Sequence, residues 1–310
     1  MPEQIQDLQG KTALVTGSTS GIGRGIAEEF LARGANVMFT GVFFDHPQKT
    51  ADQQRQEFAA ALEEYRGTYP GRTIGFQEAD VENMEAVSPL VAAAARLGHG
   101  ELHVLVNNAG MQIPKPVGEI SPEEWKRLMD VNLNGAFYAM TAAVPYMKKA
   151  GGGNIINITS VHAHVVSPGR AAYCASKFGL RALTEAAAID LAPYHIAVNT
   201  VSPAFVKTPL AEIQIIDRMK KLGESREDAE AWRLQLQDGK WIEIADLAAR
   251  TADICARALV IPTGGDLLMD YGYVALAREH SKSLSTTGIA FFDKASREAM
   301  EEFNAVRGIS

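Results

Sequence analysis

The feature that most constrains this chain is an alternation. Short apolar runs rich in branched residues recur at Thr12–Thr16, Val37–Thr40, Leu102–Val106, Asn154–Ile158 and Ala197–Val201, and a last one falls at Asp266–Asp270. Longer stretches with helical spacing lie between the first five, at Gly23–Ala32, Thr50–Tyr65, Met84–Arg96, Pro122–Lys149 and Ala172–Leu191. Strands separated by helices are joined by parallel crossovers, and strands that are apolar nearly throughout are covered on both faces. The pattern predicts an α/β fold built on a doubly wound parallel sheet. No repeat, low-complexity tract or Pro/Gly-rich linker divides the 310 residues, so one domain over 1–310 is expected, with its core at 8–273. Two regions fit the rhythm less well: Phe205–Lys240, read as a helical lid of two polar stretches, and a C-terminal extension at 274–310 that carries an apparent helix at Lys294–Arg307.

The first strand runs directly into Gly17, Ser18, Thr19, Ser20, Gly21, Ile22 and Gly23, and a helical pattern begins at once. Glycines there let the backbone turn tightly and approach a pyrophosphate, whose charge is met by the helix N-terminus. This is the Rossmann-type arrangement for a dinucleotide. After the second strand comes Gly41-Val42-Phe43-Phe44, with no basic residue in the turn and with Ser20 in the glycine loop. A ribose 2′-phosphate needs Arg or Lys at this end, so NAD is expected rather than NADP, although no carboxylate stands at Gly41 and Asp45 is remote. Asp80 and Val81, after a third strand counted between the stretches Thr50–Tyr65 and Met84–Arg96, could hold an adenine edge, or Asp80 could cap the helix that follows.

Charge and cysteine usage narrow the function classes. A net charge of −7 with interspersed signs offers no basic field for nucleic acid or anionic lipid. The two cysteines, Cys174 and Cys255, lack the spacing of a zinc site or disulfide scaffold, so no metal is expected and a reducing compartment fits. Met1–Gly10 is polar and lacks an apolar run, so neither a secretory signal nor a membrane anchor is expected and the cytoplasm is inferred.

The strand Leu102–Val106 ends in Asn107-Asn108-Ala109-Gly110, at the strand end where open α/β sheets bind ligands. Ser160 closes the fifth strand, and Tyr173 and Lys177, four apart, share one helix face. An ammonium beside a phenol favours the phenolate and lowers its pKa, which suits proton transfer. Together with Asn132, this set resembles the short-chain dehydrogenase/reductase family over roughly Leu8 to Tyr273. The resemblance implies an oxidoreductase in which Tyr173 is the acid or base on the reacting oxygen, Ser160 orients that oxygen, Lys177 holds the nicotinamide ribose and tunes Tyr173, and Asn132 positions a proton-carrying water. It further implies that the dinucleotide lies along Gly17–Gly23, Phe43, Asp80, Val81 and Asn108–Gly110, touching Tyr173 and Lys177, and then along Pro203, Phe205, Val206 and Thr208. Where the family usually has Pro-Gly after the sixth strand, this chain has Pro203-Ala204.

Gln112, His162, Arg170 and Gln214 would cluster near the nicotinamide as a cradle for a small carboxylate, with Arg170 able to pair bidentately. These residues, with Ser160-Val161-His162 and Thr208-Pro-Leu-Ala-Glu-Ile-Gln214, are similar to the bacterial D-3-hydroxybutyrate dehydrogenases within the family. That likeness implies oxidation of D-3-hydroxybutyrate to acetoacetate with NAD. Arg170 stands where the subfamily has Lys and Phe205 where it has Trp, which opens room for a larger hydroxy acid. The readings kept open are a family member acting on another polar alcohol or ketone, such as a sugar, and a non-catalytic dinucleotide-binding regulator. The family also implies a homotetramer built through Pro122–Lys149 and Ala172–Leu191, with Phe291, Phe292 and Phe303 of the tail placed to pack on a neighbour.

Overall fold

The computed structural model describes residues 7–45, 49–257 and 259–282. The tail helix and the three tail phenylalanines expected above lie outside these residues. Strands β1 (Thr12–Val15), β2 (Asn36–Gly41), β3 (Ile74–Glu78), β4 (Val104–Asn107), β5 (Gly153–Ile158), β6 (Ile196–Pro203) and β7 (Asp266–Met269) form one sheet in the order β3-β2-β1-β4-β5-β6-β7. Every pairing is parallel. As the alternation predicts, helices cover both faces: α1 (Gly21–Ala32), α2 (Ala51–Thr68) and α9 (Ile244–Cys255) on one, α3 (Met84–Leu97), α5 (Gly135–Lys149) and α6 (Ala171–Leu191) on the other.

The two-residue period of the strands divides the core between those faces. Ala13 and Val15 of β1 and Val104 and Val106 of β4 join the α1 side, while Leu14 and Leu105 join the α3 side. Both sets are apolar, so these strands read as unbroken hydrophobic runs. Each fully buried large side chain, such as Leu14 or Leu105, contributes about 1.5–3 kcal/mol by leaving water.

Local signals set the helix starts. Thr50 and Gln53 form a reciprocal capping box on α2, and Ser121 and Glu124 do the same on α4 (Pro122–Met129), where Pro122 occupies the first turn. The single helix expected over Pro122–Lys149 is instead three pieces: α4, a π turn at Asp130–Asn134, and α5. The wider turn carries Asn132, whose carboxamide bonds the Met111 backbone in both directions, accepting at 2.8 Å and donating at 3.0 Å.

The order of strand addition reverses between β1 and β4, neighbours from which the connections run to opposite edges. A crevice therefore opens beyond their carboxyl ends. Beneath it a buried amide ladder joins three elements: Asn107 of β4 donates to Asn157 of β5 at 2.8 Å, and Asn157 donates to Thr184 of α6 at 2.8 Å. The lid region consists of α7 (Pro209–Leu222) and α8 (Arg226–Leu234), and α10 (Tyr273–Lys282) begins after β7. Among the described residues no helix is long and apolar enough to cross a membrane.

Candidate active site

The glycine loop is shaped by what stands against it. Asn108, just past β4, donates its amide to the carbonyls of Thr16 at 2.9 Å and Gly17 at 3.0 Å, and the Thr16 hydroxyl accepts from the amides of Asn108 and Ala109. Gly17 and Gly21 adopt φ of 61° and 56°, a left-handed backbone that a side chain would strain. A methyl at Gly23 would collide with the Asn108 amide and the Gly17 carbonyl. The loop leads into α1 at Ser20, whose side chain makes no capping bond, so the first amides of α1 have no side-chain acceptor. These features fit a pyrophosphate. Thr208 caps α7 by accepting from Ala211, with its methyl about 4.0 Å from a Cβ built on Gly21, so it faces the loop.

At the other end of this cleft the structure alters three expectations. Phe43 turns its ring into an aromatic cluster with Phe58 and Phe76, at centroid distances of 6.2 and 6.0 Å, and its backbone amide donates to Glu78. Asp45 accepts from Ala51 at the start of α2 and is occupied there. Asp80 accepts from Glu82 in the following turn, whereas the cap of α3 is Asn83. A cation that the turn's own sequence does not contain arrives from α2: Arg55 lies over Phe43, 5.5 Å from its centroid, in a bidentate pair with Glu78 at 2.9 and 3.0 Å and bonded to Asp52.

The sequence-predicted chemical groups converge on one pocket, lined among others by Gln112, Ser160, His162, Arg170, Tyr173 and Lys177. Ser160 lies two residues past β5 rather than closing it, in extended conformation at the start of a short 3-10 turn (Val161–Ala163), and its hydroxyl accepts from the His162 amide at 3.2 Å. The His162 ring stands edge-on to Tyr173 at 5.7 Å. Burial, aided by Arg170, pushes the imidazole down to about 3, so it is neutral near pH 7. Burial also holds the Tyr173 phenol above its ordinary value, against the opposing pull of hydrogen bonding to Ser160 and of the Arg170 charge. The Lys177 ammonium donates to the Ile158 carbonyl at 2.9 Å, lies 5.7 Å from the Tyr173 centroid, and is itself pushed down to about 8 by burial. Asn132 also lies here. Its Oδ1 would be 3.5 Å, and the Lys177 Nζ 3.8 Å, from a Cβ on Gly110, and its amide donates to Ser176 at 3.1 Å.

Pro203, Phe205, Val206, Thr208 and Gln214 complete one wall. The four residues expected to share a carboxylate are divided into pairs. Arg170 donates to Gln112, while Gln214 accepts from Arg233 at 2.5 Å. Sequence reading missed Arg233, a pocket residue on α8, although it lies four residues after the buried Ala229 and so on the same helix face. It missed Gln237 as well, a fully buried amide that accepts from the Phe205 amide at 2.6 Å and donates to the Phe205 carbonyl at 2.9 Å. Tyr273 of α10 packs on Phe205 at 5.8 Å and on His162 at 6.4 Å. His164 points away from the pocket, 2.6 Å from Asp266.

Comparison with known proteins agrees with this geometry. The family model for short chain dehydrogenase matches residues 11–217. The D-beta-hydroxybutyrate dehydrogenase of Rhizobium meliloti (strain 1021) is 34% identical, covering 86% of this chain and 99% of that protein. The NADP-dependent (R)-specific alcohol dehydrogenase of Lentilactobacillus kefiri is 33% identical over 86% of this chain and 98% of its own. A crystal structure from Sinorhizobium meliloti 1021, described as a short-chain alcohol dehydrogenase, superposes with a TM-score of 0.69 at 30% identity, covering 87% of this chain and 99% of that one. With the sheet order, the glycine loop and the pocket in place, the chain belongs to the short-chain dehydrogenase/reductase family.

Proposed function

We propose that this oxidoreductase transfers a hydride between NAD and a small 3-hydroxy acid, with D-3-hydroxybutyrate and acetoacetate as the first pair to test. The observation that carries the reading is the meeting of Tyr173 and Ser160 with the Arg170–Gln112 pair in one pocket, a proton-transfer group beside a carboxylate binder. The relative from Rhizobium meliloti, over nearly its full length, supports the same substrate class.

In oxidation, a nicotinamide bound in the cleft would supply the acceptor for the hydride of the carbinol carbon. Tyr173 takes the hydroxyl proton, Ser160 orients the oxygen, Lys177 holds the ribose, and Asn132 fixes the Met111 backbone beside them. Replacing Tyr173 with Phe removes the proton acceptor and leaves the cleft. For Tyr173→Phe, kcat is expected to fall about 10²–10⁴-fold while NADH fluorescence still reports binding; turnover near the wild-type rate would refute the assignment.

Arg55 bears on the cofactor. It is committed to Glu78 and Asp52, so a 2′-phosphate would enter beside two carboxylates. Initial rates with D-3-hydroxybutyrate should therefore be higher with NAD than with NADP, and an equal or reversed ratio would count against NAD.

His162 carries a pH consequence. A group held near 3 binds the substrate carboxylate as a neutral donor across the whole working range. KM for the hydroxy acid should stay flat between about pH 5.5 and 7.5; a KM that climbs with pH through the ordinary histidine range would show that the imidazolium is the binder.

The family expectation of a homotetramer is supported by Trp125 on α4, Phe137 on α5 and Phe178 on α6, all exposed on helices in the expected interface segments. Sedimentation as a monomer only would remove it.

A further inference from the structure

The pocket holds more positive charge than a monocarboxylate requires. Arg170 and Arg233 both line it, and among the described residues neither is ion-paired to a carboxylate. Three acids on the lid helices are engaged elsewhere: Glu212 and Glu230 hold Arg226, and Asp228 accepts from the cap Ser225. Arg233 is also held in place. Its guanidinium lies 4.5 Å from the centroid of Phe205, one of its amines donates to Gln214, and its Nε is shielded from solvent with no acceptor. The side chain gives way further under burial and the repulsion of Arg170, which together push it down to about 10. A shielded guanidinium without a counter-charge is costly unless something anionic joins it.

Each arginine is paired with an amide, Arg170 with Gln112 and Arg233 with Gln214, and the resulting groups are alike in chemistry. A planar guanidinium beside an amide is a carboxylate receptor, since both carboxylate oxygens find donors. One such receptor serves the first carboxylate. The second has no use in a monoacid.

We propose that Arg233 and Gln214 form a second carboxylate subsite and that the preferred substrate is a hydroxy dicarboxylate, with one carboxylate at Arg170–Gln112 and the other at Arg233–Gln214. This rests on the 3-hydroxy acid reading and narrows it. The chemistry is unchanged: the carbinol loses a hydride to the nicotinamide and a proton to Tyr173, giving the keto diacid.

The test compares three substrates on the wild-type enzyme with NAD: 3-hydroxyglutarate, its monomethyl ester and D-3-hydroxybutyrate. The diacid is expected to exceed the ester about 10- to 100-fold in kcat/KM, the range of one charge-assisted contact. In R233M that ratio should fall to about one, with R233K recovering part of it. Calorimetric titration of the NADH complex with glutarate and butyrate provides a readout independent of turnover, and glutarate should bind more tightly. Equal use of diacid and ester by the wild type, or equal binding of glutarate and butyrate, overturns the second subsite while leaving the 3-hydroxy acid reading intact. An R233M variant that loses the same factor toward diacid and ester also overturns it, since Arg233 would then be clamping a single carboxylate. Oxidation of polyols with none of the three acids used overturns both readings. Should R233M fail to fold, the wild-type comparisons decide alone.

Discussion

The structure depends on a meeting at the centre of the sheet, where the end of β4 grips the end of β1. Asn108 donates to two successive carbonyls of the turn after β1, and the Thr16 hydroxyl accepts two amides in return. Four hydrogen bonds between segments some ninety residues apart in sequence fix the glycine loop in a left-handed course at Gly17 and Gly21 that only glycine takes without strain. They also set the start of α1 against the turn that leads to Met111 and Gln112. Gly23 is compelled by the same contact, because the Asn108 amide fills the space a side chain would need. The cofactor cleft and the chemical pocket thus share one wall, and neither could be displaced without the other.

From that wall the chemical groups are placed by elements with little freedom. A π turn puts Asn132 on the Met111 backbone, and the amide ladder from Asn107 through Asn157 to Thr184 ties α6, which carries Tyr173 and Lys177, to the sheet. Buried polar groups that are satisfied in this way specify one arrangement, since any slip leaves donors unpaired in a dry interior. The titratable groups follow the same logic. Burial moves Tyr173 up and His162, Lys177 and Arg233 down, which in each case disfavours the charged form. A pocket arranged so gains most from an anion.

The sheet and the family residues were legible in the sequence because their signals are local. Two-sided apolar strands, a glycine loop running into a helix, and a Tyr and Lys four apart each declare themselves within a few residues. The π turn at Asp130–Asn134 was not legible, since one inserted residue leaves the apolar spacing on either side intact. Arg55 was missed because it reaches the turn after β2 from a helix face, and nothing in Gly41–Phe44 announces it. Arg233 looked like part of a solvated charged helix among its neighbours Arg226, Glu227, Asp228 and Glu230; only its phase relative to Ala229 distinguishes it. The spacing of Tyr173 and Lys177 was legible, whereas the desolvation that acts most strongly on both groups depends on how deeply α6 is buried, which spacing does not reveal.

The footing of the lid has a consequence for how such an enzyme can change. Gln237 grips both backbone groups of Phe205, and Val206 pairs with Ile242 through a parallel bridge, so the excursion between them leaves and re-enters the fold at a single closed neck. With the neck sealed, the span from Pro209 to Leu236 behaves as a replaceable cassette, in which doubling the length costs only about 0.6 kcal/mol of closure entropy. Arg233 and Gln214 sit inside that cassette, while Tyr173, Ser160 and the glycine loop sit outside it. Substrate choice can therefore drift, lengthen or be exchanged wholesale across descendants of this scaffold without touching the machinery that moves the hydride.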